Sequence, residues 1–203
     1  MRIFWLILAC IFAVGCSEKK APGQPQFVGV EIGAGDIASD IALTDHLGRS
    51  RSMRDFRGKV VALFFGYTHC PDVCPTTMSD LAKSMKLLGD RRANVQVLFV
   101  TLDPDRDTQQ VLAQYVPSFD PTFIGLRGDA AALERVERGY KVFVRKQPSA
   151  GKSGYTIDHS TGVYVFDPRG LPRLYLNYGQ KPADIAHDIG ALLQISNKTD
   201  LSH

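Results

Sequence analysis

Residues 67–75 read YTHCPDVCP, which sets Cys70 and Cys74 four positions apart, each followed by a proline, with Asp72 between them. Two thiols this close can exchange with a disulfide, clamp a metal ion, or sit in a core as spectators. Asp72 and the prolines mark an exposed loop, and the loop follows the apolar run KVVALFFG (59–66), at the strand end where α/β proteins build their sites. Pro75 disfavours helical geometry at Cys74 and suits a first helical turn, so the sequence predicts Cys74 as N-cap and a helix that starts at Pro75. Both sulfurs would then lie at a helix mouth, where unpaired N–H groups and about half a positive charge favour thiolate. Cysteines in such places drop from about 8.5 into a range of about 3.5 to 7.5. Three intervening residues make a looser loop than the C-x-x-C turn, so both sulfurs can converge on a third object while a disulfide stays possible.

If that object is a metal ion, it needs another donor. Two thiolates alone suit linear copper(I), and two thiolates with one imidazole make a soft three-coordinate site that fits copper far better than calcium or magnesium. His46 reads as a solvated residue near a hairpin tip. His69 adjoins Cys70 but points away from it if the chain is still extended, with an extra contact open to it. His187 falls in a helical pattern as a surface residue, and His203 is terminal. His159 lies in GYTIDHST, a loop just before an apolar strand, and its distance along the chain from Cys74 leaves both a structural and a ligand role open.

The elements that must position these residues follow from periodicity. DIALTDHLGRSRSM (40–53) alternates around a glycine turn and reads as a hairpin. KVVALFFG is a central strand buried on both faces. Met78, Leu81, Met85 and Leu88 then recur at helical spacing up to Gly89. VQVLFVTLD (95–103) is a second strand, after which Asp107 or Thr108 can cap a helix. A strand near TFIGL, a helix over DAAALERVERGY and a strand near KVFVRK follow, then a Gly/Ser/Lys-rich loop at 147–154. GVYVFDPRGLPRLYL (162–176) is an antiparallel hairpin, and the last helix begins with Pro182. The sum is an α/β thioredoxin-like domain: a mixed central sheet flanked by helices, with an added N-terminal hairpin.

The chain has 203 residues, 44% hydrophobic and 22% charged, as expected for one globular domain with a tail or anchor. Its formal +3 arises from 24 basic and 21 acidic residues scattered without a basic block, which excludes nucleic acid as the implied partner. MRIFWLILACIFAVGC pairs Arg2 with an apolar run too short for the roughly 18–20 residues of a spanning helix, so it reads as an export signal. AVGC resembles a bacterial lipoprotein box with Cys16 as the lipidated residue. The expected organisation is signal 1–15, lipid anchor and flexible tether 16–36, domain 37–198 and tail 199–203. Cys10 leaves with the signal and Cys16 takes the lipid, so Cys70 and Cys74 stand alone in an oxidising compartment.

FFGYTHCPDVCPTTMSDL, VTLDPDRDT and YTIDHSTGVYVFDPRG, in this order, resemble the Sco/SenC family of thioredoxin-like copper proteins that assist cytochrome c oxidase assembly. The resemblance spans residues 37–195 and implies Cys70, Cys74 and His159 as ligands of one copper, Cu(I) or Cu(II). Asp72 and Asp158 flank these ligands as residues that could tune charge or orient a neighbour; as hard donors they suit copper poorly. The function implied is a metallochaperone at the periplasmic face of a bacterial membrane. It would take copper from another periplasmic carrier and pass it to the dinuclear copper site of an oxidase subunit. A thiol-disulfide oxidoreductase that reduces the acceptor cysteines through Cys70 and Cys74, itself served by a thiol reductant, is the alternative. VCPT around Cys74 also prompts a thiol peroxidase, but Pro71 stands where peroxiredoxins place a threonine. The turn LDPDRDT is a hallmark of the same family, and turn formation and capping by Asp107 and Thr108 is its simplest role.

Overall fold

In the strand Val60–Gly66, Val60, Ala62 and Phe64 face one layer of the core while Val61, Leu63 and Phe65 face the other, and all six are buried. That two-sided burial explains a run without polar residues. Each large side chain buried here contributes about 1.5–3 kcal/mol. The computed structural model describes residues 25–38, 40–149 and 154–200, with side chains to 195. The expected signal, Cys16, the first part of the tether, residues 150–153 of the 147–154 loop, His203 and the end of the tail lie outside the described residues.

The strands are β1 (Val30–Glu31), β2 (Leu43–Asp45), β3 (Ser50–Arg51), β4 (Val60–Gly66), β5 (Val95–Thr101), β6 (Ile124–Arg127), β7 (Val144–Pro148), β8 (Tyr155–His159), β9 (Val163–Phe166) and β10 (Pro172–Leu176). The helices are α1 (Val73–Leu88), α2 (Gln109–Phe119), α3 (Ala130–Gly139) and α4 (Pro182–Asp200). Eight strands form one mixed sheet in the order β1-β10-β9-β4-β5-β6-β2-β3, parallel across β4-β5-β6 and antiparallel elsewhere. Residues of α1, α2 and α4 share the core layer of Phe64, while Leu133 and Val136 of α3 share that of Phe65, so helices cover both faces as expected. Among the described residues no helix is long and apolar enough to cross a membrane.

Four expectations are corrected. The helix after the cysteines starts at Val73 with Asp72 as N-cap, not at Pro75. A proline in the third helical position loses nothing, because the N–H it lacks would have no intrahelical partner there. The expected tether ends sooner: Val28 and Gly29 donate their N–H groups to the buried Asp188 carboxylate at 2.9 and 2.7 Å, and β1 pairs with β10. His46 is not solvated but only 9% exposed, with Nδ1 accepting from Gly125 N–H at 2.9 Å, because β2 pairs with β6 as well as β3. Burial lowers the His46 pKa and holds the ring neutral. Finally, GYTIDHST is not a loop: Tyr155–His159 pairs antiparallel with β7 as a separate two-stranded sheet.

Candidate metal centre

Three elements meet at the C-terminal end of β4. The chain leaves the sheet at Gly66, turns so that Cys70 N–H donates to Tyr67 carbonyl at 3.3 Å, and enters α1. Cys74 falls in the first turn of α1 and is completely buried, whereas Cys70 is half-buried above it. Cys74 N–H points at Cys70 Sγ, 3.4 Å away. The β7–β8 hairpin crosses from the other side and brings His159 Nε2 to 3.6 Å from Cys74 Sγ, across 85 positions of sequence. The ligand atoms of Cys70, Cys74 and His159 all lie within 4.8 Å of one another.

The imidazole is oriented for coordination. His159 Nδ1 lies 2.7 Å from Ser160 carbonyl, which can only accept, so Nδ1 carries a proton and Nε2 is the ring nitrogen turned toward the sulfurs. The rings of Tyr67 and Phe64 stand edge-on to it at 5.9 and 6.3 Å between centroids. Tyr67 is itself buried, and its hydroxyl accepts from Ile157 N–H at 3.2 Å, tying the middle of β8 to the start of the cysteine loop.

The helix mouth does not ionise both sulfurs, contrary to the sequence reading. The Cys74 thiol donates to Cys70, and with a hydrogen bond from His159 and the N–H groups of Asp72 and Cys74 it outweighs burial and holds Cys70 at about 3. The same contact, together with burial, pushes Cys74 up. The metal-free pair is therefore one thiolate and one thiol sharing a proton, with the charge on the more accessible sulfur. A soft cation that displaced that proton would meet two thiolates and an imidazole, and this donor set fits copper.

The other candidate residues stand elsewhere. Asp72 is exposed at the N-cap, where its carbonyl and carboxylate accept from Thr76. Asp158 alternates to the face of β8 opposite His159 and accepts from Gln147 Nε2 at 2.8 Å, bracing the hairpin. His69 is exposed, with Nδ1 3.1 Å from Thr68 Oγ1, and is not in the converging group. His187 is a surface residue of α4 beside Asp188, as expected. Thr108 caps α2, accepting from Val111 N–H, while Asp107 does not cap at all: it is buried against Thr68 and Thr101. Tyr67 and Asp107 are the contributors that periodicity misses, and the LDPDRD turn was the signal for the second.

Residues 30–194 match the SCO1/SenC family. The chain is 38% identical over 187 residues to the mitochondrial SCO2 homolog of Bos taurus, covering 91% of this chain and 68% of that protein. It is 34% identical to the mitochondrial SCO2 homolog of Homo sapiens over 74% of this chain, but spans only 57% of that protein's length. Among solved structures, copper-bound ScoI of Bradyrhizobium japonicum superposes with a TM-score of 0.71 at 35% identity, covering 77% of this chain and 99% of that one. The thioredoxin-like architecture thus holds over the whole of that relative. By motif order, site geometry and similarity along most of its length, this chain belongs to the SCO1/SenC family.

Proposed function

We propose that the protein is a copper metallochaperone that binds one copper ion through Cys70, Cys74 and His159 and delivers it to the dinuclear copper site of cytochrome c oxidase during assembly. The observation that carries the reading is the convergence of two sulfurs and one imidazole nitrogen within 4.8 Å. Three protein donors grip a soft ion yet leave it open to incoming thiolates or imidazoles, which suits a cargo that must be released. Cys70 is the half-buried ligand and so the one an acceptor reaches first. Lipidation at Cys16 would hold the domain at the periplasmic face of a bacterial membrane, keeping carrier and acceptor at high effective concentration on one surface.

The test is an anaerobic copper titration of the reduced domain by absorption and electron paramagnetic resonance. Wild type is expected to bind one equivalent. Cys70→Ser and Cys74→Ser should lose the sulfur charge-transfer bands, and His159→Ala should lose nitrogen hyperfine coupling and most of the affinity. Wild-type-like binding by His159→Ala would overturn the ligand assignment.

One observation favours a second activity of the same pair, reduction of acceptor disulfides. Cys70 is the accessible sulfur and the one whose surroundings favour the thiolate, while burial favours the thiol at Cys74. In that reaction Cys70 thiolate attacks an acceptor disulfide and expels one acceptor thiolate. Cys74 then displaces the second, leaving a reduced acceptor and a Cys70–Cys74 disulfide that an external dithiol must reduce. His159→Ala should leave much of this exchange intact while removing copper retention, which separates the two activities.

A further inference from the structure

Thr108 alone caps α2, which leaves Asp103, Arg106 and Asp107 of the preceding turn without a task in that helix. Their side chains reach in two directions. The Asp107 carboxylate, with no solvent exposure, accepts from Thr68 N–H at 3.0 Å, Thr68 Oγ1 at 2.5 Å and Thr101 Oγ1 at 2.6 Å. Thr68 lies two residues before Cys70, so Asp107 pins the root of the cysteine loop to the end of β5.

Arg106 reaches the other way. Its Nη1 donates to Tyr155 carbonyl at 3.0 Å, and its guanidinium carbon lies 3.7 Å from the centroid of the Tyr155 ring. Its Nε pairs with Asp103 Oδ2, while Asp103 Oδ1 accepts from the Tyr155 hydroxyl at 2.6 Å. Tyr155 and His159 are the two ends of β8. The turn itself is tight, with the N–H groups of Arg106 and Asp107 both donating to the Asp103 carbonyl. Adjacent residues on one short rigid segment therefore hold opposite halves of the metal centre.

The hairpin needs such a hold. Among the described residues β7 and β8 pair only with each other, and an isolated two-stranded hairpin is marginal in water. Its position must come from its contacts with the rest of the domain: Ile157 in the core with its N–H on the Tyr67 hydroxyl, Tyr155 against Arg106 and Asp103, and Lys146 on Asp105 at 2.9 Å.

We infer that Asp103, Arg106 and Asp107 are positioning residues: the turn they form sets the separation between His159 and the cysteine pair. The inference rests on the copper-site reading above. Misplaced supporting groups of this kind typically lower metal affinity about 10–100-fold.

The test uses Arg106→Ala, Arg106→Lys and Tyr155→Phe, with amide hydrogen exchange on the reduced, metal-free protein followed by copper titration. Arg106→Ala should speed exchange of the Ile157 amide at least about tenfold while β4 amides keep wild-type rates, and should cost about 10–100-fold in copper affinity. Nitrogen hyperfine coupling should weaken with the sulfur bands retained. Arg106→Lys should not restore either property, because an ammonium lacks the planar fork that serves Asp103, the Tyr155 carbonyl and the ring together. Tyr155→Phe, which removes one hydroxyl and is the arm that decides if Arg106→Ala does not fold, should move both readouts the same way by less. Wild-type exchange at Ile157, or a rise shared equally by β4, would overturn the inference. Absence of copper binding by the wild type would instead overturn the proposed function and leave the exchange result standing.

Discussion

Gly66 ends β4 directly beneath the buried thiol, and Gly66→Ala probes how tightly Cys74 is seated. A methyl group there would lie 2.9 Å from Cys74 Sγ, 3.0 Å from Phe99 Cε2 and 3.1 Å from Phe64 Cε1. Favourable carbon contacts begin at about 3.5 Å, so each contact is short by about half an ångström. Both rings have no exposed surface and close neighbours, so they have little room to yield. Overpacking of this kind costs about 1–3 kcal/mol. At roughly 2–4 °C per kcal/mol for a domain of this size, the melting temperature should fall by about 2–12 °C. The cheapest partial relief is rotation of the short Cys74 side chain, which carries Sγ away from His159 Nε2 and should lower copper affinity by about tenfold or more. Urea unfolding of the reduced, metal-free protein gives the first quantity, and competition against a copper(I) chelator gives the second. Gly35→Ala, at a glycine with nothing within 4 Å of the added methyl, is the control and should be neutral in both. If Gly66→Ala unfolds with wild type and holds copper as tightly, the packing argument for the cysteine is refuted.

Other outcomes follow from the charges. In reduced, metal-free protein, iodoacetamide should label Cys70 but not Cys74 from about pH 5 upward, because Cys70 is held at about 3 while Cys74 is raised; Cys70 labelling with a midpoint near its ordinary 9.0 would contradict this. Asp45 is brought to about 2, since hydrogen bonds from Arg49 and Leu47 N–H and from the Arg51 and Arg49 side chains outweigh burial, which acts the other way. Its contribution, on the order of 2 kcal/mol, is therefore complete above the ordinary 3.8 and disappears as pH falls toward 2. Asp45→Asn should flatten that acid limb in denaturant titrations at several pH values. Asp188→Ala removes the acceptor of Val28 and Gly29 N–H and should cost on the order of 3 kcal/mol, with loss of amide protection in residues 28–31 ahead of the rest.

Much of this protein is written locally. The alternation hidden in KVVALFFG, the helical spacing of Met78, Leu81, Met85 and Leu88, the glycine stop at Gly89 and the DPRG turn each express a preference of a few consecutive residues, and the structure keeps all of them. The chemistry of the site was legible too, since two thiols at a strand end already select soft metals or redox exchange, and motif order singled out His159. What local preference leaves open is depth and company. The burial of His46 and the strand character of Tyr155–His159 depend on partners that local sequence does not specify, Gly125 for His46 and β7 for β8. The unequal proton affinities of Cys70 and Cys74 have the same origin: both sit at one helix mouth, and only tertiary packing decides which sulfur is buried and which receives the N–H groups. So it is with Arg106 and Asp107, neighbours in a charged turn whose opposite directions no periodicity encodes, because each is set by the distant groups it meets.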